Sequence, residues 1–182
     1  MEIERKYLVR ELPADLDSYP HTEIEQGYLC TSPTLRIRRM GDAFILTVKE
    51  KIIPNSSPKV GEVPEGRRGM PAIVNREEEF SMRRESYERL RAKCDGRIVS
   101  KTRYRIPLSG SSPKSGEGDR PAGVVEVCVA ELDIFHAAHE GLCLVEVEFP
   151  SVEAADAFVP PVWFGEEVSG DPRYRNSYLA SI

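Results

Sequence analysis

Through most of this chain, charged and apolar side chains alternate with period two. Within one stretch the charges usually carry one sign. In Leu35-Arg36-Ile37-Arg38-Arg39, Arg36 and Arg38 share a face opposite Leu35 and Ile37. In Lys101-Thr102-Arg103-Tyr104-Arg105-Ile106 three cations oppose Tyr104 and Ile106. Glu77 and Glu79 face away from Phe80 and Met82, and the pairs Glu131 and Asp133, and Glu146 and Glu148, lie opposite apolar neighbours. The opening stretch sets Glu2, Glu4 and Lys6 against Ile3, Arg5, Tyr7 and Val9. Successive side chains of a strand point to opposite faces, so each stretch reads as a strand with one charged and one apolar face. A sheet with one wet face gives the same alternation. Solvated faces usually mix signs, however, whereas these strands segregate them. That favours charged faces turned into a shared polar cavity.

Turn signals divide the chain into about eight strands. Strands are expected at 1–9, 24–30, 34–40, 43–49, 73–82, 97–108, 124–135 and 143–149. Gly41-Asp42 makes a tight hairpin turn. Helical spacing covers 83–94, with Asp95-Gly96 as a C-cap. A second helix runs from an N-cap at Ser151, with Glu153 in its first turn, to Pro160. A short final helix lies in the tail, equally suited to plugging one end of a barrel or packing outside it. The connections suit meanders and not βαβ units. The expected fold class is α+β, mainly antiparallel β: an eight-stranded closed tunnel, or β-barrel, with a charged lumen and helices packed outside. Along 124–135, Val125, Val127 and Val129 share phase with Glu131 and Asp133. Either a bulge resets the register there or the early part lies beyond the cavity. The segments 52–72 and 109–122, rich in Gly, Pro and Ser, read as a mobile insertion and a flexible hairpin connection within one domain.

Composition narrows the partners. The net charge of −5 argues against general nucleic-acid binding, which leaves a basic footprint. No window is apolar over the roughly 18 residues a membrane helix needs, and no apolar leader predicts secretion. The four scattered cysteines fit reduced thiols in a cytoplasmic protein. His136 and His139 have helical spacing but no further ligands nearby, so a metal is not expected there.

A lumen holding Lys6, Arg36, Arg38, Lys49, Lys101 and Arg103 suits a compact polyanion, because arginine forks match phosphate oxygens and lysine supplies a point charge. Glu2, Glu4, Asp133, Glu146 and Glu148 suit a hard divalent cation with oxygen ligands. Close carboxylates without a cation would repel and titrate upward. Together the two sets describe a metal–polyphosphate site. Neither a Gly-x4-Gly-Lys-Ser/Thr loop nor Gly-x-Gly-x-x-Gly occurs, so nucleotide binding by those routes is not indicated.

The chain resembles the CYTH superfamily, the triphosphate tunnel metalloenzymes. The signature is Glu2, Glu4 and Lys6 in a Glu-x-Glu-x-Lys motif. It continues through Gln26-Gly27-Tyr28-Leu29, Leu35-Arg36-Ile37-Arg38-Arg39, Leu46-Thr47-Val48-Lys49, Glu77 with Glu79, Lys101-Thr102-Arg103-Tyr104, Glu131-Leu132-Asp133-Ile134-Phe135, Leu144-Val145-Glu146-Val147-Glu148-Phe149 and Gly170-Asp171-Pro172-Arg173-Tyr174. Glu-x-Glu-x-Lys alone is a weak motif, but the ordered set spans nearly the whole chain. The resemblance, greatest to small bacterial inorganic triphosphatases, implies an eight-stranded antiparallel tunnel acting on triphosphates with Mg²⁺ or Mn²⁺.

On that resemblance, Lys6, Arg36, Arg38, Lys49 and Arg103 bind substrate, and Glu2, Glu4, Asp133, Glu146 and Glu148 hold metal. Glu77, Glu79 and Glu131 are supporting tunnel acids. Lys101, Tyr28 or a carboxylate orients or activates water. The implied reaction is hydrolysis of tripolyphosphate to pyrophosphate and phosphate. An adenylate cyclase or a thiamine or nucleoside triphosphatase of the same fold stays open, as does a non-enzymatic polyphosphate-binding module. The expected partner is a small triphosphate, with no nucleic acid or membrane, and the protein a monomer or homodimer.

Overall fold

The computed structural model describes residues 3–52, 74–94, 98–108 and 128–182. Among these residues nine strands form one sheet: β1 (Ile3–Val9), β2 (His21–Thr31), β3 (Thr34–Met40), β4 (Ala43–Ile52), β5 (Val74–Ser81), β6 (Ile98–Leu108), β7 (Cys128–Phe135), β8 (Cys143–Phe149) and β9 (Phe164–Glu167). Three short α-helices accompany it: α1 (Arg84–Arg91), α2 (Val152–Asp156) and α3 (Asn176–Leu179). The fold is therefore α+β and mainly antiparallel β, as the alternation predicts. The sheet order is β5-β4-β3-β2-β6-β7-β8-β1-β9. Two meanders, β2 to β5 and β6 to β8, join where β6 pairs with β2, and the first strand enters between β8 and β9. Gly41, at φ +56°, makes the β3–β4 turn. Among the described residues no helix is long and apolar enough to cross a membrane.

Several expectations change. The sheet is not closed by hydrogen bonds among the described residues; β5 and β9 end the order. The ninth strand lies in the predicted tail. Its Phe-Gly-Glu-Glu is too short for alternation to reveal, and its pairing with β1 shifts register between Tyr7 and Val9. β7 pairs with β6 without a break from Cys128 to Phe135, so no bulge resets that part of the strand. A register shift lies instead between Tyr28 and Cys30, where β2 meets β3. Helix α2 is capped as expected, the Ala154 amide donating to Ser151 Oγ at 3.2 Å, but it is much shorter than predicted. The predicted insertion from 52 to 72, beyond Ile52, and the 109–122 connection lie outside the described residues, as does Glu2.

The sheet has two distinct faces. On the apolar face, Tyr7, Ile106, Leu132, Val145 and Val147 form a buried cluster with Ala155 of α2 and with Phe158 and Phe164. A second cluster joins Ile37 and Phe44 to Tyr87 of α1 and to Cys94. Each large side chain so buried contributes about 1.5–3 kcal/mol relative to exposure. The third cluster is on the other face. Tyr28, Val99, Phe135 and Leu144 share strand phase with the charged side chains, and they bury Leu179 of α3 and Ala180. Helices α1 and α2 thus lie outside, as expected, whereas α3 covers one end of the charged face. Of the two placements the sequence leaves open for the final helix, packing against the outside is not the one adopted.

Candidate active site

The charged face encloses a cavity of about 350 Å³. Residues from β5 at one edge of the sheet and from β1 and β8 near the other line the same space, so the sheet curls around it. Glu4 and Lys6 come from β1, Arg36 and Arg38 from β3, Lys49 from β4, and Glu77 and Glu79 from β5. Lys101 and Arg103 come from β6, Glu131 from β7, and Glu146 and Glu148 from β8. Alternation places all of them there, since every strand of the cavity presents the same phase inward.

Two predicted residues stand apart from the lining. Asp133 is 1% exposed and lies beneath the cavity, where Lys101 and Arg103 both donate to it. Tyr28 is buried in the apolar cluster at the α3 end, and its hydroxyl accepts from Gln26 Nε2 at 2.6 Å. Burial pushes its phenol pKa up, against the pull of Arg36. The cavity also contains Ile24, Gln26 and Asn176, which the sequence reading does not include. Gln26 shares phase with Tyr28 and was legible from alternation; Asn176, on α3, carries no such signal.

The cavity has two charged walls. On the first, Arg103 Nε and Nη2 donate to the two Asp133 oxygens at 2.6 and 2.7 Å, and Nη2 also donates to Glu146 at 2.8 Å. Its Nη1 donates to Glu131. Lys101 Nζ donates to Asp133 Oδ2 at 2.5 Å and to Asn176 Oδ1 at 3.5 Å. Lys6 Nζ meets Glu146 Oε1 at 2.7 Å. Burial opposes charge on Arg103, but Asp133, Glu146 and Glu131 together hold its pKa above the ordinary value. Lys101 goes the other way: burial lowers its pKa, with Asp133 opposing.

The second wall is looser. Lys49 Nζ lies 3.0 Å from Glu77, Arg36 Nη2 is 3.5 Å from the same carboxylate, and Arg38 Nη2 is 4.0 Å from Glu79. The Nε atoms of Arg36 and Arg38 are buried without a hydrogen-bond partner. Burial, then the like charge of Arg36, lowers the Arg38 pKa. Buried donors of this kind are costly unless paired, and an anion with several acceptor oxygens satisfies them. Around the cavity, among the described residues, six cations face seven carboxylates when Asp133 is included.

The chain is 38% identical over 184 residues to an inorganic triphosphatase of Nitrosomonas europaea, covering 98% of this chain and 96% of that one. It is 29% identical over 185 residues to an inorganic triphosphatase of Acetivibrio thermocellus, covering 98% and 92%. The solved structure of the inorganic triphosphatase NE1496 matches with a TM-score of 0.63 at 34% identity, over 99% of this chain and 94% of that one. No family model matches. With relatives aligned along nearly its full length, the chain belongs to the family of the small bacterial inorganic triphosphatases, among the triphosphate tunnel metalloenzymes.

Proposed function

We propose that this cavity binds linear tripolyphosphate and, with Mg²⁺ or Mn²⁺, hydrolyses it to pyrophosphate and phosphate. The observation that carries the reading is the pair of buried, unpartnered Nε donors of Arg36 and Arg38 in a cavity crowded with further cations. The relatives named inorganic triphosphatase support it. The described lining contains no aromatic ring, so a nucleobase or a thiamine ring has nothing to stack on there. A module that only bound polyphosphate would need the cations but not the acids.

The carboxylates fit a hard divalent cation by their chemistry: all are oxygen donors, drawn from β1, β7 and β8. Glu4, Glu146 and Glu148, with Asp133, would hold it, and Glu2 would join them on the Glu-x-Glu-x-Lys motif alone. Such an ion supplies charge neutralisation on phosphate oxygens and acidifies bound water. The chain's own part is positioning and electrostatics, the main needs of phosphoryl transfer. Arg36, Arg38 and Lys49 bind phosphate oxygens on one wall while Lys6 and Arg103 bind them on the other. Glu77 and Glu79 orient the guanidinium of Arg36, and Glu131 that of Arg103. Water attacks the terminal phosphorus, the bridging P–O bond breaks, and pyrophosphate leaves. Lys101, its ammonium destabilised by burial, is suited to hold and pass the water's proton. Tyr28, kept protonated and packed under α3, orients the site through Gln26. The curled sheet, with α3 covering one end, supports a tunnel entered from the other. The chemistry needs a small substrate and no second macromolecule, and suits a cytoplasmic monomer or homodimer.

The test is phosphate release from tripolyphosphate, ATP and thiamine triphosphate, each with Mg²⁺, with Mn²⁺ and with chelator. Release from tripolyphosphate with either metal, well above the other two substrates and abolished by chelator, is expected. Equal or faster release from ATP, or none from tripolyphosphate, overturns the reading.

A further inference from the structure

We propose that Arg103 is an interlock between the two ligands of the cavity: its guanidinium occupies Asp133 and Glu146, two of the acids assigned to the divalent cation, so the cation's site is assembled only as a phosphate draws the guanidinium away. This rests on the triphosphate reading of the cavity.

Arg103 donates to three carboxylates on two strands, Glu131 and Asp133 of β7 and Glu146 of β8. Asp133 is 1% exposed and the Arg103 side chain 18%, so these pairs are screened little by water. Among the described residues no three acids, histidines or cysteines form a group that could hold a metal ion. The acids are present, but the planar fork of Arg103 stands among them. Withdrawing it unaided would leave Glu131 with only Arg105 at 3.9 Å and would take one of their partners from Asp133 and Glu146, which keep Lys101 and Lys6, and losing a buried ionic partner is unfavourable. A divalent cation arriving as the guanidinium leaves restores their partner. The guanidinium in turn gains a phosphate, for which its fork is equally suited.

Charge balance points the same way. With six cations against seven carboxylates the cavity is close to neutral, so neither a polyanion alone nor a metal alone meets a strong opposing field. Each ligand improves the site for the other, and by linkage the two effects are equal. The second wall does not share this arrangement, since Lys49 pairs with Glu77 and touches none of the three acids.

The decisive comparison is Mn²⁺ binding without any phosphate, followed by electron paramagnetic resonance on the full chain. Arg103→Met and Lys49→Met each remove one positive charge from the same cavity, but only the first takes a partner from Glu131, Asp133 and Glu146, of which Asp133 keeps Lys101 and Glu146 keeps Lys6. Arg103→Met is expected to bind Mn²⁺ about tenfold more tightly than the wild type, and Lys49→Met less than about threefold. An equal gain in both variants would reduce the effect to net charge and overturn the interlock, as would no gain in Arg103→Met. Circular dichroism and thermal melting check that the variants are folded. If Arg103→Met is not, Arg103→Lys, which keeps the charge and loses the fork, replaces it with a smaller tightening expected; no tightening overturns the proposal. A parallel titration of the wild type with an imido-bridged triphosphate analogue, with and without Mn²⁺, separates the two readings. Failure of the analogue to bind in either condition sinks the triphosphate reading. Binding equally tight with and without Mn²⁺ sinks the interlock alone.

Discussion

Lys6 and Glu146 stand directly opposite each other in the β1–β8 ladder, and their side chains meet at 2.7 Å. The pair joins the first strand of the chain to the strand that supplies two of the cavity acids. Both side chains are largely buried, at 11% and 14% exposure, so the ion pair is worth more than one on the surface.

A pH dependence follows from this pair. Burial raises the Glu146 pKa, but Lys6, Lys101 and Arg103 outweigh it and bring it from 4.5 to about 2. A carboxylate whose folded pKa is depressed stabilises the fold above its unfolded pKa, and that stability drains away as pH falls through the folded value. The difference in unfolding free energy between the wild type and Glu146→Gln should therefore shrink as pH drops from about 5 to 2. Urea denaturation across that range measures it, and a constant difference counts against the pairing.

On the proposed reading, Arg36 and Arg38 serve an anion and not the fold. Arg36→Ala should lower kcat/KM for tripolyphosphate by about 100-fold or more, near 3 kcal/mol of transition-state stabilisation. The melting temperature should stay level or rise, because the like charge that depresses the Arg38 pKa is gone. A clear fall in melting temperature alongside intact activity would show that Arg36 serves the fold.

Gly27 lies where α1 and its C-terminal turn press on β2. An added Cβ would sit 2.7 Å from Cys94 Sγ and 3.3 Å from Ile37 Cγ1. Cys94 is 1% exposed, so its sulfur has little room to yield. Gly27→Ala should destabilise by about 1–3 kcal/mol. In Gly27→Ala/Cys94→Ala the added cost of the glycine change should be smaller, and strict additivity in a double-mutant cycle would place the clash elsewhere.

Helix α3 is part of the core despite its single turn. Leu179 is 5% exposed against Tyr28, Val99, Phe135 and Leu144. Leu179→Ala should cost about 2–4 kcal/mol in chemical denaturation. A cost below about 1 kcal/mol would mean that α3 rests on the cavity end without sealing it.

Much of the site was legible because period two is a property of the strand backbone. Arg36, Arg38, Lys101, Arg103, Glu146 and Glu148 point one way wherever their strands go, so their phase could be read before the strands were paired. The strand spans were legible too: the one expected at 143–149 is β8 itself, and Gly41 makes the turn assigned to it. Asn176 escaped because a helical turn near the C-terminus meets Lys101 only through the fold. Alternation did not distinguish the buried Asp133 from the lining Glu131, because depth depends on neighbouring strands and not on phase.

Local alternation thus carried an antiparallel sheet with one charged and one apolar face, and the residues on each. Long-range packing settled which strands pair, where the hydrogen-bonded order ends, and how the cavity is covered. Whether α3 packed outside or plugged an end depended on apolar groups from β2, β6, β7 and β8 that share the phase of the charged residues. The reach of Arg103 to three carboxylates likewise required β6, β7 and β8 to lie side by side in one register. Side-chain direction is set within two or three residues, while partnership is set by chain segments far apart in sequence, and only their folding together brings those into contact.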